Sequence, residues 1–249
     1  MLPLERHSRI LDLMESHETL LTQDLAEKVG VSGATIRRDL QDLAERGLLA
    51  RTHGGAVRLQ RSIAQEPAFA AKSVRMQAEK IAIAEYAAAH VRDGSTLIFD
   101  AGTTILEVAR RVAGRPFTAI ALDLPAAQAL AVGETEVLLL GGRVRSNSFS
   151  ITGPWTEEQL RNLRADVFLM GAHAVDDRGV SNAVIEEAMV KRLAVEASHR
   201  TMVLADHTKF GWRAMTQVCG LEKIQQIVTD RGSRKLAWLK ESGPDITLV

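Results

Sequence analysis

The chain predicts an α/β domain with a mostly parallel sheet, preceded by a small winged helix-turn-helix domain. Two observations carry this. From Val74 onward, short apolar runs alternate with helical segments, the pattern of strands joined by helical crossovers. Ahead of them, Thr22–Val57 reads as a helix, a tight turn, a second helix with adjacent arginines and a small basic hairpin.

Residues 4–16 form the first helix, with His7, Ile10, Leu11 and Met14 spaced as one packing face. In LTQDLAEKVG the Thr22 hydroxyl can cap a helix whose Leu25, Ala26 and Val29 repeat every three or four residues, and Gly30 suits its end. Ser32 can cap the next helix. There Ile36, Leu40 and Leu43 share one face while Arg37, Arg38 and Gln41 point the opposite way, and Gly47 ends it. In a helix-turn-helix the second helix enters the major groove with its N-terminal residues leading, here Thr35, Arg37 and Arg38. LLARTHGGAVRL then places two apolar runs around His53-Gly54-Gly55, a hairpin that forms a wing. The first domain therefore spans 1–58, with the helix-turn-helix about 22–46 and the wing at 48–58.

Charge placement, rather than bulk charge, points to nucleic acid. From Arg46 to Gln65 there are four arginines (Arg46, Arg51, Arg58 and Arg61) and no acid, which phosphates favour. Residues 1–58 as a whole carry eight Lys/Arg against nine Asp/Glu. ERHSRILDLMES and LAEKVGVSGATIRRDLQDLAERGLLARTHGGA closely resemble the N-terminal winged helix-turn-helix of the DeoR family of bacterial sugar-metabolism repressors. The match runs through Ser32, Thr35-Ile36-Arg37-Arg38-Asp39-Leu40, Gly47 and Arg51-Thr52-His53-Gly54-Gly55. The resemblance implies that Thr35–Arg38 reads duplex operator DNA and that Arg51–Gly55 supports it from the wing.

Composition sets wide bounds. With 249 residues, 46% hydrophobic and 25% charged, the chain is long enough for one small and one medium domain. The single Cys219 cannot form an intramolecular disulfide, and MLPLERHSRI lacks an apolar signal core. No run approaches the ~20 apolar residues that span a bilayer, so the expected location is the cytoplasm. The seven histidines are scattered, which argues against a metal site, and neither metal nor cofactor is expected. Aromatic content of 4% disfavours single-stranded nucleic acid, which binds by stacking.

Residues 59–74 lose periodicity, contain Pro67 and read as a linker. The second domain, 75–249, opens with an alanine-rich helix from about Val74 to Val91. Its strand candidates are Thr96–Phe99, Phe117–Leu122, Val137–Leu140, Val167–Met170, Thr201–Ala205, Ile227–Thr229 and Ile246–Val249; its further helices are Ile105–Val112, Pro125–Ala131, Glu157–Leu163, Ile185–Ser198 and Ser233–Lys240. Ligand sites in parallel sheets lie beyond the strands' carboxyl ends. LIFDAGTTILEVARRV puts Asp100-Ala101-Gly102-Thr103-Thr104 there: glycine permits close approach, threonine hydroxyls donate, and a helix start favours an anion such as phosphate. Later strand ends lead into Gly141-Gly142-Arg143, Gly153-Pro154 and Asp206-His207-Thr208-Lys209-Phe210.

This order resembles the C-terminal sensor domain of the same family, which shares its fold with ribose-5-phosphate isomerase. Asp100–Thr104, Gly141–Gly142, Gly153-Pro154, Arg164-Ala165-Asp166, Gly171, Gly179, Asp206–Phe210 and Thr229-Asp230 match. The resemblance implies that Gly102–Thr104 holds the phosphate of a sugar or sugar-acid effector, with Asp100, Asp206 and Lys209 nearby and Gly141, Gly142 and Arg143 on the same side. Two positions depart from the pattern. Ala121-Leu122 stand before Asp123 where the family usually has Thr-Asn, and His173 replaces a small residue, making it a candidate specificity residue. The expected function is an effector-released repressor of a carbohydrate operon, acting as a homo-oligomer, dimer or tetramer, because such modules read paired half-sites. The alternative is a sugar-phosphate isomerase-like enzyme with Asp100 or Asp206 as base and Lys209 as electrostatic partner.

Overall fold

The computed structural model describes residues 2–45, 48–58, 63–64, 66–232 and 243–249. Arg46, Gly47, Arg61 and the helix expected over Ser233–Lys240 lie outside the described residues. The chain divides into two compact units, Met1–Arg61 with Ala70–Gln77, and Ser62–Phe69 with Ala78–Val249.

The first unit contains α1 (Pro3–Ser16), β1 (Thr19–Leu21), α2 (Thr22–Val29), α3 (Gly33–Glu45), β2 (Ala50–Arg51) and β3 (Gly55–Val57). A short α4 (Phe69–Ser73) contributes Ala71, which with Val74 is buried in the same core. That core is made by Ile10, Leu11 and Met14 of α1, Leu25 and Val29 of α2, and Ile36, Leu40 and Leu43 of α3, the expected stripes. Thr22 does not cap α2. It is the first helical residue, with Leu21 at the cap position, because α2 leaves directly from β1 and the Thr22 amide donates to the Gly54 carbonyl at 2.8 Å. β1 has no alternating pattern long enough to read from sequence, yet it pairs antiparallel with β3, which also pairs with β2. Gly55 is required there: a Cβ would stand 2.0 Å from the Leu20 carbonyl oxygen. Gly30 ends α2 at φ 79, its amide returning to the Ala26 carbonyl.

A buried ionic cluster ties α1 to the inner face of α3. Arg6 donates to both carboxylate oxygens of Asp39, at 2.6 and 2.8 Å, and His7 Nε2 lies 3.1 Å from one of them. Burial works to raise the Asp39 pKa, but the hydrogen bond and charge of Arg6, with His7, outweigh it and hold the carboxyl below its ordinary value. His7 is thus a buried partner of Asp39, not only a packing residue.

Apart from Ser62–Phe69, the second unit opens within α5 (Gln77–Ala89), which starts after Met76 at φ 48 rather than at Val74. There follow β4 (Thr96–Phe99), α6 (Thr103–Val112), β5 (Thr118–Ala121), α7 (Leu124–Leu130), β6 (Glu136–Leu139), β7 (Arg143–Val144), β8 (Ile151–Thr152) and α8 (Pro154–Arg161). After these come β9 (Ala165–Gly171), β10 (Ala174–Asp176), β11 (Gly179–Asn182), α9 (Ile185–Ala197), β12 (Ser198–Leu204), β13 (Thr216–Cys219), β14 (Gln226–Thr229) and β15 (Asp245–Leu248). Seven strands form one sheet in the order β15-β14-β12-β9-β4-β5-β6, every pair parallel. All seven expected strands are in it.

Adjacent residues feed opposite faces, as a pleated strand demands. Leu97 and Phe99 pack with α5, α6 and α7, while Ile98 packs with α8 and α9. Sequence reading missed the accessory pieces, an antiparallel sheet of β10, β11 and β13 and a β7–β8 ladder. These strands are two to four residues long, too short for periodicity to register. Among the described residues, no helix is long and apolar enough to cross a membrane.

Removing Asp39 takes away a buried carboxylate that accepts two Arg6 hydrogen bonds and meets His7, a loss of about 3–5 kcal/mol in comparable buried pairs. Asp39→Ala should therefore lower the denaturant midpoint of the first unit. A depressed carboxylate contributes stability that is complete above its unfolded pKa and lost as pH falls through the folded one. The gap between wild type and variant should accordingly shrink on acidification below about pH 4; a midpoint equal to wild type at pH 7 would contradict the clamp.

Candidate functional site

On the reading helix, Ser32 caps α3 by accepting the Thr35 amide at 3.2 Å, and the two hydroxyls lie 2.9 Å apart. With Ile36, Asp39 and Leu40 buried, Arg37 and Arg38 fall on the exposed face, and neither forms an ion pair among the described residues. The wing is held against this helix: Arg51 donates to Gln41 Oε1, and Gln41 donates to Glu45 at 2.5 Å. Thr52, His53 and Gly54 are exposed at the hairpin tip, where the Thr52 amide donates to the Gly55 carbonyl at 3.0 Å. Ser32, Arg37, Arg38 and Arg51–Gly54 are thus exposed and Thr35 is half-buried, and the Arg51–Gln41 contact joins the wing to α3.

In the second unit, the carboxyl edge of the sheet gathers buried charge. Asp100 follows β4 and is 2% exposed; its Oδ2 accepts the Gly171 amide at 2.8 Å and contacts the Lys191 ammonium, which also donates to the Gly171 carbonyl at 2.8 Å. Burial raises the Asp100 carboxyl above its ordinary value, with Lys191 opposing. One turn earlier on α9, Glu187 accepts from Ser150 (2.6 Å), Ser148 (2.8 Å), Asn182 (3.2 Å) and Arg145. Burial alone would raise its pKa; Ser150, Lys191, Arg145 and Ser148 hold it down to about 2, so it stays ionised. Arg145 also reaches Glu66 at 3.0 Å. Segment 145–150 is thereby strapped onto α9.

The Asp100–Thr104 loop runs from the end of β4 into the first turn of α6. Gly102 is the N-cap of α6 at φ 127, a conformation that side chains rarely adopt, so no side chain caps the helix. The Thr103 and Thr104 hydroxyls bond to no group among the described residues, and the first amides of α6 lack intrahelical acceptors by geometry. Asp123, after β5, steadies the loop by accepting the Gly102 amide at 3.0 Å while capping α7 through the Ala126 amide at 2.8 Å.

The other expected residues divide. Asp206, after β12, is 1% exposed and accepts the Thr208 amide (3.0 Å) and hydroxyl (2.5 Å); Lys209 Nζ lies 4.0 Å from it. Burial raises the Asp206 pKa, but Lys209, Thr208 and Lys80 outweigh it and keep the carboxyl low. It shares the carboxyl edge with Asp100, separated by β9. Gly141 and Gly142 are packing elements: the Gly141 amide donates to Gln159 at 3.1 Å, and a Cβ on Gly142 would meet Thr156 Oγ1 at 2.1 Å. Arg143 is exposed in β7 and its guanidinium engages no carboxylate among the described residues. His173 packs edge-on against Trp212, centroids 5.2 Å apart, and Ala121 and Leu122 are buried in the sheet.

Sequence reading missed Asp123, Arg145, Ser148, Ser150, Glu187 and Lys191. Glu187 and Lys191 did carry a signal: they sit four apart in VIEEAMVKRL on the face of Ala188, Ala194 and Ala197 rather than opposite it.

Comparison with known proteins agrees with this organisation. Residues 6–62 match the family model described as the DeoR-like helix-turn-helix domain, and residues 75–231 match the DeoR C terminal sensor domain. The HTH-type transcriptional regulator GlpR of Haloferax volcanii is 36% identical over 235 residues, covering 92% of this chain and 91% of its own. Transcriptional repressor AccR of Agrobacterium fabrum is 37% identical over 236 residues, covering 93% and 91%. The lactose phosphotransferase system repressor of Staphylococcus aureus is 33% identical over 229 residues, covering 91% of each. Among solved structures, ribose 5 phosphate isomerase A from Neisseria gonorrhoeae aligns at 18% identity and a TM-score of 0.40 over 54% of this chain and 53% of its own. With both domain models matched in order and these relatives aligned over nearly their whole length, the chain belongs to the DeoR family of transcriptional regulators.

Proposed function

We propose that this protein represses a carbohydrate operon by binding duplex DNA through α3 and the wing, and releases it when a phosphorylated sugar or sugar acid occupies the start of α6. The observation that carries the effector half is the uncapped helix at Gly102, with two unengaged threonine hydroxyls beside it. A helix terminus supplies only about 0.3–1 kcal/mol at an exposed site, so a cation must add to it. Lys191 is committed to Asp100 and Gly171; Lys209, 4.0 Å from Asp206 and partly exposed, retains donors for a phosphate. The relatives named as repressors, one of them for a lactose phosphotransferase system, support a carbohydrate operon as the target. Asp100 and Asp206, the bases an isomerase would use, both spend acceptor positions on internal hydrogen bonds, which supports a binding role over a catalytic one.

The DNA half rests on the two exposed arginines. One bidentate contact from arginine to guanine discriminates by about 1–3 kcal/mol. Arg37→Ala/Arg38→Ala should lose specific operator binding with its thermal unfolding unchanged, as measured by titration with labelled operator duplex; wild-type affinity would remove α3 from the reading surface.

Regulation requires the effector to prefer one state of the protein, and a coupling of ~1–3 kcal/mol changes operator affinity ~5–150-fold. Thr103→Ala/Thr104→Ala should bind operator normally yet fail to release it across the inducer range, a super-repressed phenotype. A wild-type response would move the phosphate site elsewhere.

A further inference from the structure

His173 stands two residues beyond the end of β9, the strand that lies between β4 and β12 in the sheet. On one side the end of β9 abuts the Asp100–Thr104 loop: a Cβ on Gly171 would meet the Ala101 carbonyl oxygen at 3.4 Å and Asp100 Oδ2 at 3.5 Å. On the other side, after β12, comes the turn His207–Lys209. Trp212 is tied to that turn, its indole N–H donating to the Thr208 carbonyl at 3.3 Å, while the Gly211 amide fastens the chain before it to the Val175 carbonyl of β10 at 2.8 Å. The contact between His173 and Trp212 therefore joins the end of β9 to the turn that carries Lys209. The two rings meet at an interplanar angle of 66°, and such an edge-to-face contact takes a face of one ring but only an edge of the other. Both residues are half-buried, unlike Phe99 and Phe168 sealed inside the sheet, so ring surface stays open at the carboxyl edge. Aromatic surface beside a few convergent polar groups is how small-molecule sites are lined.

We propose that Trp212, with His173, is a specificity-determining residue against which the carbon skeleton of the effector packs, and that the effector is a phosphorylated sugar in its closed-ring form. This rests on the reading of Gly102–Thr104 as the phosphate site. With the phosphate at the start of α6 and Lys209 on the far side of β9, the sugar lies across the end of β9, beside His173. A closed sugar ring has faces made of C–H groups, whose hydrogens are left partly positive by the neighbouring oxygens and meet the negative face of an aromatic ring. An open-chain polyol phosphate with the same number of carbons presents no fixed face of this kind, and ordering its freely rotating bonds costs conformational entropy. Phosphate, hydroxyls and the polar groups that bind them are common to ring and chain. The aromatic pair is the feature that tells them apart.

Intrinsic fluorescence of the full chain tests it, with Trp155→Phe and Trp238→Phe leaving Trp212 as the one indole. The probes are the 6-phosphates of glucose, galactose and fructose beside the matching hexitol 6-phosphates, each also tested for release of operator from wild type. At least one ring phosphate should change the Trp212 emission saturably, and its hexitol counterpart should bind more weakly. Trp212→Leu should weaken binding of that ring phosphate by about 3–10-fold. Trp212→Phe, which equally lacks the indole N–H but keeps an aromatic face, should retain most of the affinity. Equal losses in the two variants would reduce Trp212 to holding the Lys209 turn and would overturn the inference. So would a hexitol phosphate bound as tightly as its ring counterpart, or a ring phosphate that releases operator while the Trp212 emission stays constant; either result leaves the phosphate site standing. Operator release by no phosphorylated probe would overturn the phosphate reading and this inference together. Should Trp212→Leu fail to fold, the emission of Trp212 and the preference for ring over hexitol decide.

Discussion

The buried contact between Asp100 and Lys191 is the constraint on which the carboxyl edge depends. It joins three parts of the chain: the end of β4 through Asp100, the end of β9 through both polar groups of Gly171, and α9 through the lysine itself. Two charges taken out of water persist only with partners, so losing either would leave an uncompensated ion and cost more than the pair contributes. Because the pair is satisfied internally, it positions the Gly102–Thr104 loop without spending the loop's own donors. Glu187, one turn along, repeats the logic for segment 145–150, meeting two hydroxyls, an amide and a guanidinium.

The DNA-binding unit solves a related problem with opposite polarity. A helix that carries Arg37 and Arg38 outward must be held firmly on its inner face, and apolar packing by Ile36, Leu40 and Leu43 is joined there by Asp39. Arg6 and His7 converge on that carboxylate from α1, so the charge inside α3 is neutralised within the unit, while Arg37 and Arg38 outside engage no carboxylate among the described residues. This is why the formal balance of residues 1–58 says little about nucleic acid. Acidic residues such as Asp39 are spent internally, and the arginines that matter are displayed.

The parallel sheet was legible because each of its strands is a short apolar run bounded by turn residues, and burial on both faces demands such runs. The helix stripes were legible for the same reason. What escaped was whatever depends on contacts distant in sequence. β1 is recognisable only through its pairing with β3, and the start of α2 moved to Leu21–Thr22 because that strand runs straight into the helix. Glu187 and Lys191 lie on the apolar face of α9, a local signal, but the groups that hold them come from distant parts of the chain. Gly141-Gly142 was legible only as a dipeptide after a strand end, and nothing local announces that Thr156 and Gln159 fill the space around it. Of the Gly102–Thr104 loop, the glycine and threonines could be read directly; Asp123, which braces it from the junction of β5 and α7, could not.

On the proposed function, one protein couples operator DNA to a phosphorylated carbohydrate. The most direct measurement is operator affinity of the full chain, by fluorescence anisotropy with its own upstream duplex, across a panel of sugar phosphates, sugar acids and their unphosphorylated counterparts. At least one phosphorylated member should weaken operator binding by ~5–150-fold while its unphosphorylated counterpart does not. Specific operator binding indifferent to every phosphorylated member, or equally sensitive to the unphosphorylated forms, would contradict it.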